Sequence, residues 1–101
     1  MIHVVASISL KSGQLAAFAE LFKANVPAVL AEEGCIEYTP AWDAASGIEG
    51  QDLDGDRLMV IEKWESLDRL KAHLEAPHML AFREKAGHLV DSVELKILEN
   101  A

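Results

Sequence analysis

Arg57-Leu58-Met59-Val60-Ile61-Glu62-Lys63-Trp64-Glu65 is the run of residues on which the fold turns. In an extended chain Leu58, Val60, Glu62 and Trp64 fall on one side, Met59 and Ile61 on the other. A strand that is apolar on both faces near its middle belongs inside a sheet rather than at its edge. The same alternation places a carboxylate, Glu62, among apolar neighbours. A carboxylate there costs free energy unless it is hydrogen-bonded or protonated.

Upstream, Asp43 to Asp56 holds Gly47, Gly50 and Gly55 among Asp43, Asp52, Asp54 and Asp56, which predicts a long, mobile hairpin connection. Before it, Cys35 to about Ala41 reads as a second strand, with Cys35, Glu37 and Thr39 on one face and Ile36 and Tyr38 on the other. Between Gly13 and about Glu33, Leu15, Phe18, Phe22, Val26 and Val29 recur at helical steps. Ser12 is its expected N-cap and Gly34 its expected C-terminal stop. Pro27 inside the helix predicts a kink or break near Asn25. Ile2 to Leu10 alternates with period two and is the first strand.

Downstream, Ser66 is placed to cap a helix whose apolar stripe is Leu67, Leu70 and Leu74. Pro77 suits the first turn of a following helix carrying Leu80, Phe82 and Ala86, which Gly87 ends. Val93 to Leu98 closes as a fourth strand. The order β-α-β-β-α-β is the α+β, ferredoxin-like pattern. With 101 residues, the expectation is one domain spanning 1–101.

Composition narrows the function. The net charge is −8, from 17 acidic and 9 basic residues, and no basic patch gathers the cations, which argues against nucleic-acid or anionic-membrane partners. A single cysteine, Cys35, excludes an intrachain disulfide and a cysteine-rich zinc site. No leader and no apolar run of spanning length is seen, so the cytoplasm is the expected location. No metal is expected either. His73 and His78 are five residues apart rather than the four of a helical zinc pair, and Asp52, Asp54 and Asp56 lack the glycine and glutamate positions of a calcium loop.

The candidate chemistry lies in Glu62 and His73. The first is a carboxylate whose apolar surroundings raise its pKa; the second is an imidazole bordering the stripe of the second helix. On adjacent elements, the two are placed to converge on one cavity. Tyr38 and Trp64, each flat with a polar tip, are its expected walls, and His78 is an exposed first-turn residue or a pocket rim. For both Glu62 and His73 a structural role, as a hydrogen-bonded core group, competes with the catalytic one.

Three short motifs bring in a resemblance. Glu32-Glu33-Gly34-Cys35-Ile36-Glu37-Tyr38 is similar to an E-x-G-C-x-x-Y stretch, and Glu62-Lys63-Trp64-Glu65-Ser66 to an E-x-W-x-S strand end. Ala72-His73, with Ala76-Pro77-His78, resembles an A-H-x-x-x-P-H helix. All three belong to the antibiotic-biosynthesis-monooxygenase-like family, and with the element order the resemblance covers nearly the whole chain. It implies a homodimer, a dimeric α+β barrel in which two sheets face each other; that would cover the second apolar face of the third strand. It also implies a cofactor-independent monooxygenase of a small quinol or phenol, with His73 or Glu62 as proton acceptor and Trp64 and Tyr38 holding a flat ring. Other branches of the family imply an isomerase of a small phosphorylated sugar, which His78 and the cationic anchors Arg57, Arg69 and Arg83 would serve. A non-enzymatic small-molecule-binding dimer with a Glu62–His73 pair is the third alternative.

Overall fold

The computed structural model describes residues 1–101. Four strands form one antiparallel sheet: β1 (Ile2–Leu10), β2 (Cys35–Ala41), β3 (Arg57–Trp64) and β4 (Val90–Glu99), in the order β2-β3-β1-β4. Helices α1 (Leu15–Leu30), α2 (Leu67–Leu74) and α3 (Pro77–Ala86) cover one face, and a short 3₁₀ turn over Gly87–Leu89 leads into β4. This is the expected βαββαβ order, with the second helical segment divided in two.

β3 lies between β1 and β2, as its two apolar faces required. Its inner residues Leu58, Val60, Glu62 and Trp64 are buried, and pair across to the inner residues Ile8, Ala6, Val4 and Ile2 of β1. Phe18, Ala19, Phe22 and Val29 of α1 close over them. The hydrophobic burial of this layer is the main force that fixes the helices on the sheet.

Several local expectations are corrected. Pro27 neither breaks nor ends α1, which runs unbroken to Leu30. Its ladder resumes with Ala31 N–H donating to Pro27 C=O, and buried Phe22 and Val29 anchor the helix on both sides of the proline. Ser12 is not the N-cap; the helix begins after Gln14, which has no side-chain cap, because Gly13 at φ +78° turns the chain and donates its N–H to Asp56 Oδ1. On β2 the register slips between Cys35 and Glu37, so two steps along β2 match one along β3. Tyr38 therefore points inward opposite Glu62, whereas Ile36, expected on the same face, is exposed.

The stripes of the later helices also shift. Leu67 and Leu74 of α2 and Leu80 of α3 are exposed, and the buried side chains are Leu70, His73, Met79 and Ala86. Ser66 does cap α2, accepting the Arg69 N–H. The connection from Trp42 to Asp56 lacks regular structure but is tied internally, by Asp54 N–H donating to Asp43 Oδ2 and Gln51 Nε2 to Ala44 C=O. β4 begins at Val90, three residues before its expected start.

Two faces stay bare. The helices lie over β2 and β3, so Val93, Leu95 and Ile97 of β4, although on the inner face, are each about half exposed (52%, 51% and 48%). On the opposite face of the sheet Ile61 and Leu98 are exposed beside Val5.

Gly34 does not end α1, which stops four residues earlier; it ends the turn that follows. Its φ is +85°, and a Cβ there would lie 2.4 Å from Arg69 Cγ and 2.8 Å from Arg69 Cβ, atoms near the root of that side chain. Gly34→Ala is therefore expected to lower unfolding free energy by about 1–3 kcal/mol in urea titrations. In an Arg69→Ala background the loss should shrink to the backbone part alone; an equal loss in both backgrounds would refute the contact.

Candidate active site

Between α2, α3 and the inner face of the sheet lies a cavity of about 160 Å³. Phe22, Tyr38, Glu62, His73, Phe82 and Arg83 contribute to its walls, with Val93 and Leu95 on the side that no helix covers. Glu62 and His73 thus do converge, the first from the centre of β3 and the second from the inward side of α2. Both are nearly inaccessible, at 6% and 2% exposure.

They are not bonded to each other. Glu62 Oε1 accepts a hydrogen bond from Trp64 Nε1 at 2.9 Å, and His73 Nδ1 pairs with Glu32 Oε2 at 2.8 Å. The same Glu32 oxygen meets His78 Nε2 at 2.8 Å. Glu32 stands in the turn after α1, so one carboxylate links that turn to α2 and α3. With Glu32 ionised, Nδ1 of a neutral His73 must carry the proton, which leaves the Nε2 lone pair free.

Aromatic rings hold the imidazole. Trp64 lies 4.6 Å from it between centroids, and Tyr38 meets it edge-on at 5.4 Å. Tyr38 in turn stacks on Phe22 at 5.5 Å. Trp64 is wholly buried behind His73, so it supports the cavity rather than walling it, contrary to the sequence expectation.

The electrostatics follow from burial. Desolvation raises the Glu62 carboxyl to about 7, aided by the Glu32 charge and opposed by the Trp64 N–H. Desolvation also lowers the His73 pKa against the pull of Glu32, so the imidazole is neutral at neutral pH. The Tyr38 phenol is pushed well above its ordinary range, first by burial and then by Glu62 and Glu32. Each group is driven towards its uncharged form. Arg57 Nε is the only enclosed side-chain nitrogen or oxygen without a partner. The second Glu62 oxygen, His73 Nε2 and the Tyr38 hydroxyl make no hydrogen bond in the chain.

His78 is half-buried and rims a separate groove between α1 and α3 rather than the central cavity. Arg83 lines the cavity, but its Nη2 donates to Leu74 C=O at 2.8 Å. Glu32 was not singled out from the sequence; its one signal was its place as the first residue of the E-x-G-C-x-x-Y run. A larger cleft of about 560 Å³, beside Trp42 and Leu53, carries none of the candidate groups.

Comparison with known proteins now has a geometry to meet. The sequence profile of the family described as antibiotic biosynthesis monooxygenase matches residues 1–85. The chain belongs to this family. It is 40% identical, over 98% of its length and 97% of the relative's, to a protein of Escherichia coli named probable quinol monooxygenase YgiN. Among solved structures it is similar to Rv0793 of Mycobacterium tuberculosis, with a TM-score of 0.81 at 26% identity over 99% of this chain and 94% of that one. A solved protein of Nitrosomonas europaea shares the fold, with a TM-score of 0.84 at 20% identity over 99% of this chain and 98% of that one. No helix of this family member is long and apolar enough to cross a membrane.

The raised Glu62 pKa sets a pH-dependent stability. A carboxyl whose folded pKa lies near 7 and whose unfolded pKa lies near 4.5 favours folding when protonated. Its contribution is complete below the unfolded value and is lost as pH climbs through the folded one. Glu62→Gln, which still offers Trp64 an acceptor, should therefore match wild type near pH 4. It should gain on wild type between pH 4.5 and 7, reaching about 1–3 kcal/mol, and the gain should hold above pH 7. Chemical denaturation across that range measures it, and a pH-independent difference would contradict the assignment.

Proposed function

We propose that this protein is a monooxygenase acting on a small quinol or phenol, with His73 as the base and Glu62 as its polar companion. The observation that carries this reading is a neutral imidazole lining an apolar cavity, with Nδ1 tied to a carboxylate and Nε2 unbonded. A cavity of about 150 Å³ lined by apolar side chains is large enough to take up benzene, so the 160 Å³ here suits a single aromatic ring. The E. coli relative's name, quinol monooxygenase, supports the substrate class.

In this reading the ring lies against Phe22, Phe82 and Tyr38, and His73 Nε2 removes a hydroxyl proton. Glu32 steadies the imidazolium that forms, and protonated Glu62 or the Tyr38 hydroxyl donates a hydrogen bond to the second ring oxygen. The electron-rich anion reduces dioxygen directly. One oxygen atom enters a ring C–H bond and the other leaves as water. The four electrons this takes all come from the substrate, two from the hydroxylated carbon and two from oxidation of the quinol to the quinone, so quinol and O2 give a hydroxyquinone and one water. Apolar walls on the helix side limit the water around the anion. A phosphorylated sugar fits this lining poorly, because Arg83 is its one cation and its guanidinium already serves a helix carbonyl.

The same reading pairs two copies of the chain. Exposed Ile61 and Leu98, with Val5, form an apolar patch on the sheet face that the helices leave bare, and a second sheet would remove it from water.

Oxygen uptake with a panel of monocyclic quinols is expected to be substrate-dependent and to fall at least about 100-fold in His73→Ala. Glu32→Gln, which keeps a hydrogen-bond acceptor but not the charge, should lose about tenfold in kcat with KM little changed. Product formation that persists without oxygen would overturn the oxygenase assignment. In a separate test, light scattering should give twice the 11.0 kDa of one chain, and Ile61→Glu should shift the protein towards half that mass.

A further inference from the structure

Glu32 Oε2, His73 Nδ1 and His78 Nε2 all lie within 4.8 Å of one another, brought together from the turn after α1, from α2 and from α3. We infer that these three residues form a binding site for a divalent transition-metal ion of the zinc type. Two imidazoles and one carboxylate are the donor set such ions prefer, with a fourth position left open. In a tetrahedral zinc site neighbouring donors stand roughly 3.3 Å apart. To admit the ion, the two 2.8 Å hydrogen bonds to Glu32 would open slightly and the two imidazole nitrogens, no more than 4.8 Å apart, would draw to a similar separation.

Charge supports the same conclusion. Arg69 pairs with the neighbouring Glu33, and Glu32 has no lysine or arginine partner, only the two imidazoles. No lysine or arginine thus occupies the place of a cation beside this carboxylate, in a chain whose net charge is −8. A path to the site exists, because His78 is 29% exposed and rims the groove between α1 and α3. Trp64 and Tyr38 brace His73 on the inner side, so part of the donor set is already oriented. The five-residue spacing that spoke against a metal holds only for ligands on one helix. Here His73 and His78 lie on two helices and meet across Glu32.

Metal binding has a consequence that rests on the oxygenase reading. A neutral imidazole carries one proton, and an ion on Nδ1 forces that proton to Nε2. The unbonded nitrogen then changes from acceptor to donor, and His73 can no longer act as a base. The ion is thus an inhibitor of proton abstraction, in exchange with the hydrogen-bonded state.

Cobalt(II) reads binding without reference to any reaction. Titrating chelator-stripped protein with Co²⁺ should give one equivalent per chain, with the intense visible absorption of a four-coordinate site, and Zn²⁺ should displace it. His78→Gln and Glu32→Gln should each weaken binding at least about tenfold, whereas His88→Gln should leave it unchanged. Circular dichroism checks that the variants fold. Non-saturable binding, or affinity indifferent to both Glu32 and His78, would overturn the site. If saturable binding is found and oxygen uptake is then unaffected by one equivalent of Zn²⁺, the site stands and the inhibitory consequence falls.

Discussion

One oxygen atom, Oε2 of Glu32, receives two imidazoles from two different helices, and the arrangement of the helical layer around the cavity depends on it. α2 and α3 are short, eight and ten residues, and neither is long enough to be a stable helix alone. Their places are set by Leu70, Met79 and Ala86 buried in the core and by this shared carboxylate. A hydrogen bond to a charged group is stronger than a neutral one, and stronger again where water is scarce. The bridge therefore works with the flanking rings to fix the rotation of the His73 imidazole, and it alone chooses which nitrogen holds the proton.

Around that anchor the cavity follows a single electrostatic logic. Glu62, Tyr38 and His73 are withdrawn from water; nearby carboxylates add to the effect of desolvation at Glu62 and Tyr38, and at His73 desolvation outweighs the pull of Glu32. A site of neutral acids and a neutral base is suited to moving a proton onto or off an apolar ring. It would serve a charged, phosphorylated substrate badly. Glu62 keeps its position through the Trp64 indole N–H, two residues along the same strand and on the same face. A buried carboxylate and its donor are thus written into one run of β-strand.

The sheet is only half covered. Inner-face residues of β4 stay open beside the cavity, and the outer face exposes Ile61 and Leu98. These are the places where hydrophobic burial within one chain is incomplete. The helical layer is narrower than the sheet because α1 sits over β2 and β3 and the two short helices fill only the space beside it.

From the sequence alone, the strand of Leu58, Val60, Glu62 and Trp64 could be placed at the centre of a four-stranded α+β sheet. Period-two alternation is a local property, and an apolar strand on both sides has few places to go. The inward direction of Glu62 was legible for the same reason; the nearness of His73 was expected because its helix directly follows that strand in the chain. Glu32 was not, because its role comes from contacts 41 and 46 residues away in the chain, which no local pattern records. Nor could the alternation show that the register slip at Ile36 would reverse the face of that residue, or that Leu67 and Leu80 would face water while His73 took the buried place. Residue type and spacing determined which elements form. Which side of each short helix is buried, and which partner each polar group finds, was decided by how those elements pack, because the energy of a buried charge depends on neighbours that only the folded chain brings within reach.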